Sequence, residues 1–163
     1  MKFRIIVCEI FVVLITIITG DYIVNLLESD KEPIKIIILD NRRDTIPSFI
    51  NKSPKEGLKE ALEYYDVKHP HIVYAQAILE TGNFTSRLCK ENNNLFGLYN
   101  SKNKRYYKFN HWSEGVIAYL AFVQYKYKDD IDYYKFLEKI NYAEDPKYIN
   151  KLKEIIKTNK LNQ

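Results

Sequence analysis

The chain has 163 residues, of which 46% are hydrophobic and 14% aromatic, so it is long enough for one compact domain with a real core and too short for several. Its formal charge of +4 is mild and no run of basic residues is present, which argues against nucleic-acid binding. Three histidines and two cysteines without ligand spacing predict no metal site, and we expect no cofactor.

The first residues have the pattern of an export signal. Lys2 and Arg4 precede an apolar run at residues 5–19, which Glu9 interrupts. A positive start and a short apolar segment are typical of secretory signals, and the run is shorter than the ~20 residues that a membrane-spanning helix prefers. We therefore expect residues 1–20 to be a signal peptide, or a signal anchor that holds the chain at the membrane. A buried N-terminal helix of a cytosolic protein is the alternative.

The basic start predicts a cytoplasmic N-terminus and an exported body, located in the periplasm or elsewhere in the cell envelope. Residues 21–52 are expected to form a tether or adapting segment, with one short strand at residues 34–39. Residues 53–163 are expected to form the single folded domain. The sequence does not indicate an oligomeric state.

The folded domain begins with two predicted helices. Ser53 and Glu56 form a capping-box start for the first helix, which we expect to run to Tyr65. Pro70 suits the first position of the second helix, and Gly82 supplies its left-handed stop. The apolar surface of this second helix is wide enough for burial on most sides.

A small hairpin and three further helices are predicted after these. Residues 98–109 are expected to form the hairpin, with its turn at residues 100–104. Ser113 is the predicted cap of a long apolar helix. Another helix is predicted at about residues 130–140, and the last helix is expected to begin with Asp145 as its cap.

Glu80 is the candidate catalytic acid. It lies in the last turn of the second helix, where unpaired carbonyls and the negative end of the helix dipole disfavour an anion. A partly buried carboxyl at this place keeps its proton to a higher pH, as a proton donor to a leaving oxygen requires. A solvated glutamate at a helix end is the alternative that this local pattern leaves open.

Four short segments occur in a characteristic order: residues 75–82 (AQAILETG), 94–97 (NLFG), 112–114 (WSE) and 142–148 (YAEDPKY). Together they resemble glycoside hydrolase family 73, the bacterial N-acetylglucosaminidases of autolysins and flagellar muramidases, and most closely the short single-domain glucosaminidases of Bacteroides-like bacteria. The resemblance runs from about residue 53 to about residue 158. It implies a mostly helical, lysozyme-like α+β fold with one small β-hairpin lobe beside the active-site groove, and peptidoglycan glycan strands as the substrate.

The resemblance also implies roles for single residues. Glu80 matches the catalytic acid of an endo-β-N-acetylglucosaminidase, and Tyr142 matches a motif tyrosine that we expect to act in catalysis. An asparagine side chain can donate to and accept from a sugar amide at once, and a glycine permits close backbone approach. The expected substrate-binding residues are Asn94, Phe96, Gly97 and Tyr148, although Phe96 suits a place in the core equally well.

The second carboxyl group of a typical glycosidase has no obvious candidate. Many family members carry it on the hairpin, but residues 99–111 contain no acid. Glu91, Glu114 and Glu144 are the nearest, and Glu114 is better explained by the first turn of a helix. We therefore expect the 2-acetamido group of the substrate to attack its own anomeric carbon, oriented by a hydrogen bond from Tyr142.

Two other functions stay open at this stage. A lytic transglycosylase of the same superfamily also needs only one acid. A noncatalytic wall-binding protein would keep the groove without hydrolysis, and the missing hairpin acid keeps this alternative open. The sequence does not tell which β-1,4 glycosidic bond is cleaved.

Overall fold

The computed structural model of the chain describes residues 46–161, and it describes the backbone of residues 12–17, 22–27 and 35–40. These three short segments form an antiparallel sheet in the order β1 (Val12–Ile17), β2 (Tyr22–Leu27) and β3 (Lys35–Asp40). Strand β3 falls where the sequence predicts one short strand. The leader and the tether stay predictions, and the basic start of the leader lies outside the described residues.

The remainder is a mostly helical α+β domain with one small hairpin, as predicted. Its elements are a 3₁₀ turn at Ser48–Asn51, α1 (Pro54–Tyr64), α2 (Pro70–Thr81), α3 (Arg87–Asn92), β4 (Tyr99–Asn100), β5 (Arg105–Tyr106), α4 (Trp112–Phe122), a 3₁₀ turn at Gln124–Lys126, α5 (Tyr133–Lys139) and α6 (Tyr148–Thr158). Strands β4 and β5 pair antiparallel. Among the described residues, no helix combines the length and the hydropathy needed to cross a membrane.

The predicted ends of α1 and α2 are confirmed. The backbone N–H of Ser53 donates to Glu56 Oε2 at 3.2 Å, which completes the capping box of α1. Pro70 is the first residue of α2, where its missing N–H leaves no intrahelical bond unmade. Gly82 ends α2 with φ of +55°, in the left-handed region that favours glycine.

Two predicted caps are wrong. The imidazole of His111 accepts from the Ser113 N–H at 3.2 Å, so His111 is the cap of α4 and Ser113 lies inside the helix. Asp145 does not cap α6 either. Its Oδ1 accepts from the Lys147 N–H at 2.8 Å and closes a turn, and the helix begins only at Tyr148.

Two other predicted boundaries are too wide. Helix α5 begins at Tyr133 because Asp132 is its cap and accepts from two N–H groups of the first turn. The second hairpin strand ends at Tyr106 and does not reach Phe109. The Tyr107 N–H still donates across the hairpin to the Leu98 carbonyl at 3.0 Å, but the Phe109 N–H donates to the Asn92 carbonyl at 2.9 Å instead.

The core lies between the helices and surrounds α2. Helix α2 packs against α6 and α1, and α1 packs against α4. Trp112 anchors this arrangement, since its indole N–H donates to the Lys52 carbonyl at 2.9 Å while its ring lies 5.9 Å from that of Phe49. The last turn of α2, which carries Glu80, is therefore held on several sides.

Candidate active site

Glu80 lies in the last turn of α2 and its side chain is half-buried. Burial raises the pKa of this carboxyl above its ordinary value, because the charged form loses hydration. A hydrogen bond from the Tyr148 hydroxyl to Glu80 Oε1, 3.0 Å long, opposes the rise without cancelling it. The carboxyl therefore keeps its proton to a higher pH than an exposed glutamate does, as the sequence predicts.

Tyr148 is the first residue of α6 and is only 7% exposed. Burial raises the pKa of Tyr148, and the neighbouring charge of Glu80 raises it further, so the phenol stays protonated and donates. The resemblance implied that Tyr148 binds substrate. In the structure its hydroxyl contacts the candidate acid instead, across the interface between α6 and α2.

Gly97 faces the other oxygen of the same carboxyl. Its φ is +63°, and a Cβ atom placed on it would lie 3.2 Å from Glu80 Oε2. A side chain here would crowd the carboxyl and strain the backbone. The absence of a side chain at Gly97 thus allows the backbone to lie close to the carboxyl of Glu80.

Asn94 has a structural role, which differs from the substrate-binding role that the resemblance implied. Its side chain is 1% exposed. The amide oxygen accepts from the Leu98 N–H at 3.0 Å, and the amide nitrogen donates to the carbonyls of Leu98 and Tyr107 at 2.9 and 3.0 Å. Asn94 therefore shapes the turn that contains Gly97 and ties it to the hairpin, and its polar groups are engaged inside the fold.

Phe96 takes the core position that the sequence allowed as one of two alternatives, and Tyr142 has a partner inside the protein. Phe96 is buried with its ring 4.6 Å from that of Tyr119, so it belongs to the core and offers no platform to a sugar. The half-buried Tyr142 donates its hydroxyl proton to the Phe96 carbonyl at 2.9 Å. Burial raises the pKa of Tyr142 well above its ordinary value, so the phenol is neutral. The proton that we expected to orient an acetamide is donated to the protein backbone.

Two of the three other candidate acids have partners of their own. Glu91 is exposed and lies 3.6 Å from Arg87, while Glu144 is exposed and its neighbour Asp145 pairs with Lys151 at 2.5 Å. Glu114 accepts from the Asn110 N–H at 3.0 Å at the start of α4, which is the structural role that its position predicts. Among the described residues, burial and the phenol of Tyr148 are what shift the pKa of Glu80, and no second carboxylate acts on it. These residues also contain no group of His, Cys, Asp and Glu able to hold a metal ion.

Two exposed tyrosines on the hairpin were not found by sequence reasoning. Tyr99 and Tyr106 face each other across β4 and β5, are 51% and 50% exposed, and have ring centroids 5.1 Å apart. Tyr99 follows Gly97 by two residues, so the two Cα atoms are at most about 7 Å apart. The signal available in the sequence was an aromatic residue on each side of a predicted turn.

Gln76 is a second residue that sequence reasoning missed. It is fully buried on α2, and its Nε2 donates to the Tyr148 hydroxyl at 3.4 Å. Gln76 is a polar residue between two alanines in the apolar middle of α2, four positions before Glu80 and hence on the same face, and this was the signal that could have found it.

One comparison with known proteins assigns the domain to a family. Residues 55–161, which are more than half of the chain, match the family Glucosaminidase, described as mannosyl-glycoprotein endo-beta-N-acetylglucosaminidase. The matched range includes Glu80, Gly97, Tyr142 and Tyr148. No significant match was found among curated proteins or among solved structures.

Proposed function

This chain belongs to the Glucosaminidase family, of the glycoside hydrolase family 73 type, and we propose that it is an exported endo-β-N-acetylglucosaminidase of peptidoglycan. The membership supports a glycoside hydrolase and implies a peptidoglycan glycan as substrate. The observation that carries the finer proposal is the placement of Glu80, whose carboxyl is half-buried, has a raised pKa and is contacted on one oxygen by Tyr148. Such a carboxyl suits the protonation of a glycosidic oxygen.

The environment of Glu80 fits both halves of a proton transfer. Before the transfer, burial raises the pKa of the carboxyl and so favours its protonated form. After it, the Tyr148 hydroxyl stabilises the new carboxylate through Oε1 without any rearrangement. A donor that is already in place costs no reorganisation at the moment of reaction.

The nucleophile in this proposal is the substrate itself. The acetamide oxygen attacks the anomeric carbon while the bond from that carbon to the leaving oxygen breaks, and the leaving oxygen takes up the proton of Glu80. Water later opens the cyclic intermediate. Tyr142 holds the Phe96 carbonyl and hence the turn beside the acid. It joins the reaction only if the acetamide oxygen replaces that carbonyl as the acceptor of its proton.

The exposed pair Tyr99 and Tyr106 supports glycan binding beside the acid. Aromatic faces offer apolar area with a polar tip, which suits the C–H faces of pyranose rings. Their place on the hairpin, close along the chain to Gly97, is where the family fold forms one wall of the groove. The net positive charge favours an anionic cell wall.

Export is part of the proposal, on the evidence of Lys2, Arg4 and the apolar run at residues 5–19. The body of the protein then lies in the periplasm or cell envelope, with residues 1–20 either removed or kept as an anchor. A reporter fused after Gln163 should be active only when it is exported. Activity of a cytoplasmic reporter at this position would contradict export.

The decisive experiment identifies the new chain ends. Purified protein is incubated with peptidoglycan, and the products are reduced with borohydride and hydrolysed, with Glu80→Gln as the inactive control. We expect reduced N-acetylglucosamine. Reduced N-acetylmuramic acid would assign the other β-1,4 bond. Binding to the wall without new ends would identify a noncatalytic protein.

A lytic transglycosylase is the second candidate, because one carboxylate among the described residues is all that its reaction requires. Its product ends in an anhydro sugar, which borohydride does not reduce. The same digest therefore separates the two enzymes, and anhydro ends in place of reducing ends would replace the hydrolase assignment.

A further inference from the structure

A chain of buried polar side chains leads from Glu80 through the core to the other end of α2. Its members are all at most 7% exposed: Tyr148, Gln76, Tyr119, Tyr133 and Gln124. The joining distances are 3.4 Å from Gln76 to Tyr148, 2.7 Å from Tyr119 to Gln76, 2.8 Å between Tyr119 and Tyr133, and 2.9 Å from Gln124 to Tyr133. Fully satisfied buried networks of this kind fix one arrangement of a core.

The backbone of Lys68 fixes the direction of the first link. Its N–H can only donate, and it does so to Gln124 Oε1 at 2.8 Å, while its carbonyl can only accept, and it does so from Gln124 Nε2 at 2.9 Å. A flipped amide would place donor against donor and acceptor against acceptor. Gln124 therefore presents an N–H to the hydroxyl oxygen of Tyr133.

The direction of this first hydrogen bond determines the direction of each following one as far as Glu80. The Tyr133 oxygen accepts a hydrogen bond from Gln124, and the Tyr119 oxygen is the one acceptor among the described residues that its O–H can reach, so Tyr133 donates to Tyr119. The Tyr119 proton then goes to Gln76 Oε1. The amide nitrogen of Gln76 is thereby turned toward Tyr148, whose oxygen accepts it. The Tyr148 proton is left with Glu80 Oε1 as its acceptor.

We propose that Gln76 is a positioning residue of the active site, and that this one-way chain keeps the Tyr148 hydroxyl donating to Glu80 Oε1. If the Gln76 amide were reversed, its oxygen would compete with Glu80 for the Tyr148 proton. With the chain intact, Oε1 is always an acceptor, so the transferable proton resides on Oε2, the oxygen that faces Gly97. This consequence rests on the function proposed above, whereas the direction of the hydrogen bonds does not.

The variant that opens the chain is Tyr119→Phe, which removes the donor to Gln76 Oε1 and frees the amide to turn. Among the described residues, the phenol of Tyr148 is the titratable group that acts on the pKa of Glu80, and the charge of Glu80 in turn raises the pKa values of Tyr148 and Tyr142. Weakening the bond from Tyr148 disfavours the carboxylate, so the pKa of Glu80 should rise. We expect an increase of about half a pH unit in a carboxyl ¹³C titration of the full-length protein.

Two further variants bracket this result. Tyr148→Phe removes the bond to Glu80 entirely and should give a larger increase than Tyr119→Phe. Tyr127→Phe is the matched control, because its ring lies 4.8 Å from Tyr133 while its hydroxyl bonds to Ile131 and His69 outside the chain. We expect this control to titrate like the unmodified protein. The alkaline limb of kcat/KM should follow each titration, with KM little changed. An unshifted pKa of Glu80 in folded Tyr119→Phe would overturn the proposal.

The unmodified protein offers a test that does not depend on the folding of a variant. In its NMR spectrum the Gln76 side-chain amide protons should show nuclear Overhauser contacts to the ring of Tyr148 rather than to that of Tyr119. Contacts to Tyr119 alone would mean a reversed amide and would refute the one-way chain. This measurement needs no activity. If the protein cleaves no glycan but shows the expected contacts, the proposed function is refuted and the proposed direction of the hydrogen bonds is still supported.

Discussion

Replacing Gly97 with alanine should impair catalysis more than it impairs folding. The backbone of Gly97 has φ of +63°, and the new Cβ atom would lie 3.2 Å from Glu80 Oε2. The substitution therefore has two separable effects, namely strain in the backbone and pressure on one oxygen of the candidate acid. The other oxygen is held by Tyr148, so the carboxyl cannot move freely away from the methyl group.

The two effects have different magnitudes. A left-handed conformation costs a residue with a side chain about 1 kcal/mol, which lowers the midpoint of thermal unfolding by about 4 °C in a domain of this size. The contact is tighter than usual and requires a shift of a few tenths of an ångström. Because a misplacement of about 1 Å can cost roughly 100-fold in rate, we expect kcat to fall about tenfold.

Gly82→Ala is the matched control for the strain. Gly82 has φ of +55°, almost that of Gly97, but the nearest atom to its new Cβ would be Thr85 Oγ1 at an ordinary 3.6 Å. Both variants should lose similar thermal stability, measured by circular dichroism. Only Gly97→Ala should release reducing ends from peptidoglycan much more slowly at 25 °C, where both are folded.

An equal loss of activity in the two variants would refute this reasoning, because strain alone would then explain it. Full activity in folded Gly97→Ala would be a stronger contradiction. It would mean that the oxygen beside Gly97 does not deliver the proton, or that the turn moves away during the reaction.

The remaining predictions concern the acid, the turn and the hairpin. Glu80→Gln should fold and lose activity by roughly 100-fold or more, measured as release of new reducing ends. It should also unfold at a higher temperature than the unmodified protein at neutral pH. Because the pKa of Glu80 is raised by folding, its protonated form stabilises the folded state below the ordinary glutamate pKa, and this stabilisation is lost as the pH rises through the pKa of the folded state. The difference in unfolding temperature between the two proteins should therefore vanish in acid. Asn94→Ala should destabilise the domain by about 3 kcal/mol in urea unfolding, since three buried hydrogen bonds of about 1 kcal/mol each are lost. Replacing Tyr99 and Tyr106 together by alanine should raise KM about tenfold, about 1.4 kcal/mol, with unchanged thermal stability; an unchanged KM would remove the pair from the glycan-binding surface.

The parts of the fold that local chemistry determines could be predicted from the sequence. The ends of α2 follow from Pro70 and Gly82, and the start of α1 follows from Ser53 and Glu56, because cap and partner lie within one turn of each other. The position of Glu80 in the last turn, and the direction of its pKa shift, followed from the same signals. The cap of α4 was missed because a serine is a commoner cap than the histidine that performs this role here.

The partners of the site residues could not be predicted in this way, because they are distant along the chain. Tyr148 lies 68 positions from Glu80, and Tyr142 lies 46 positions from the Phe96 carbonyl that it contacts. Sequence pattern shows that a tyrosine is present but not where its proton goes. Gln76 was missed although its spacing of four residues from Glu80 places both on one helix face, and its own partners Tyr148 and Tyr119 are equally distant along the chain.

The two motif segments at residues 94–97 and 142–148 both contact the carboxyl of Glu80, and the side chains in them that were expected to bind substrate are buried and do not point into an open groove. One segment brings a glycine against Oε2 of Glu80, the other brings a phenol against Oε1, and a hydrogen bond from the second to the first holds the turn between them. The polar side-chain groups of Asn94, Tyr142 and Tyr148 form hydrogen bonds within the protein, so few polar groups of these segments are available to bind a sugar. We therefore propose that contact with the glycan involves residues outside the motifs, and the exposed pair Tyr99 and Tyr106 on the hairpin is the candidate. We infer that the two motif segments position the carboxyl of Glu80 and that the hairpin binds the glycan.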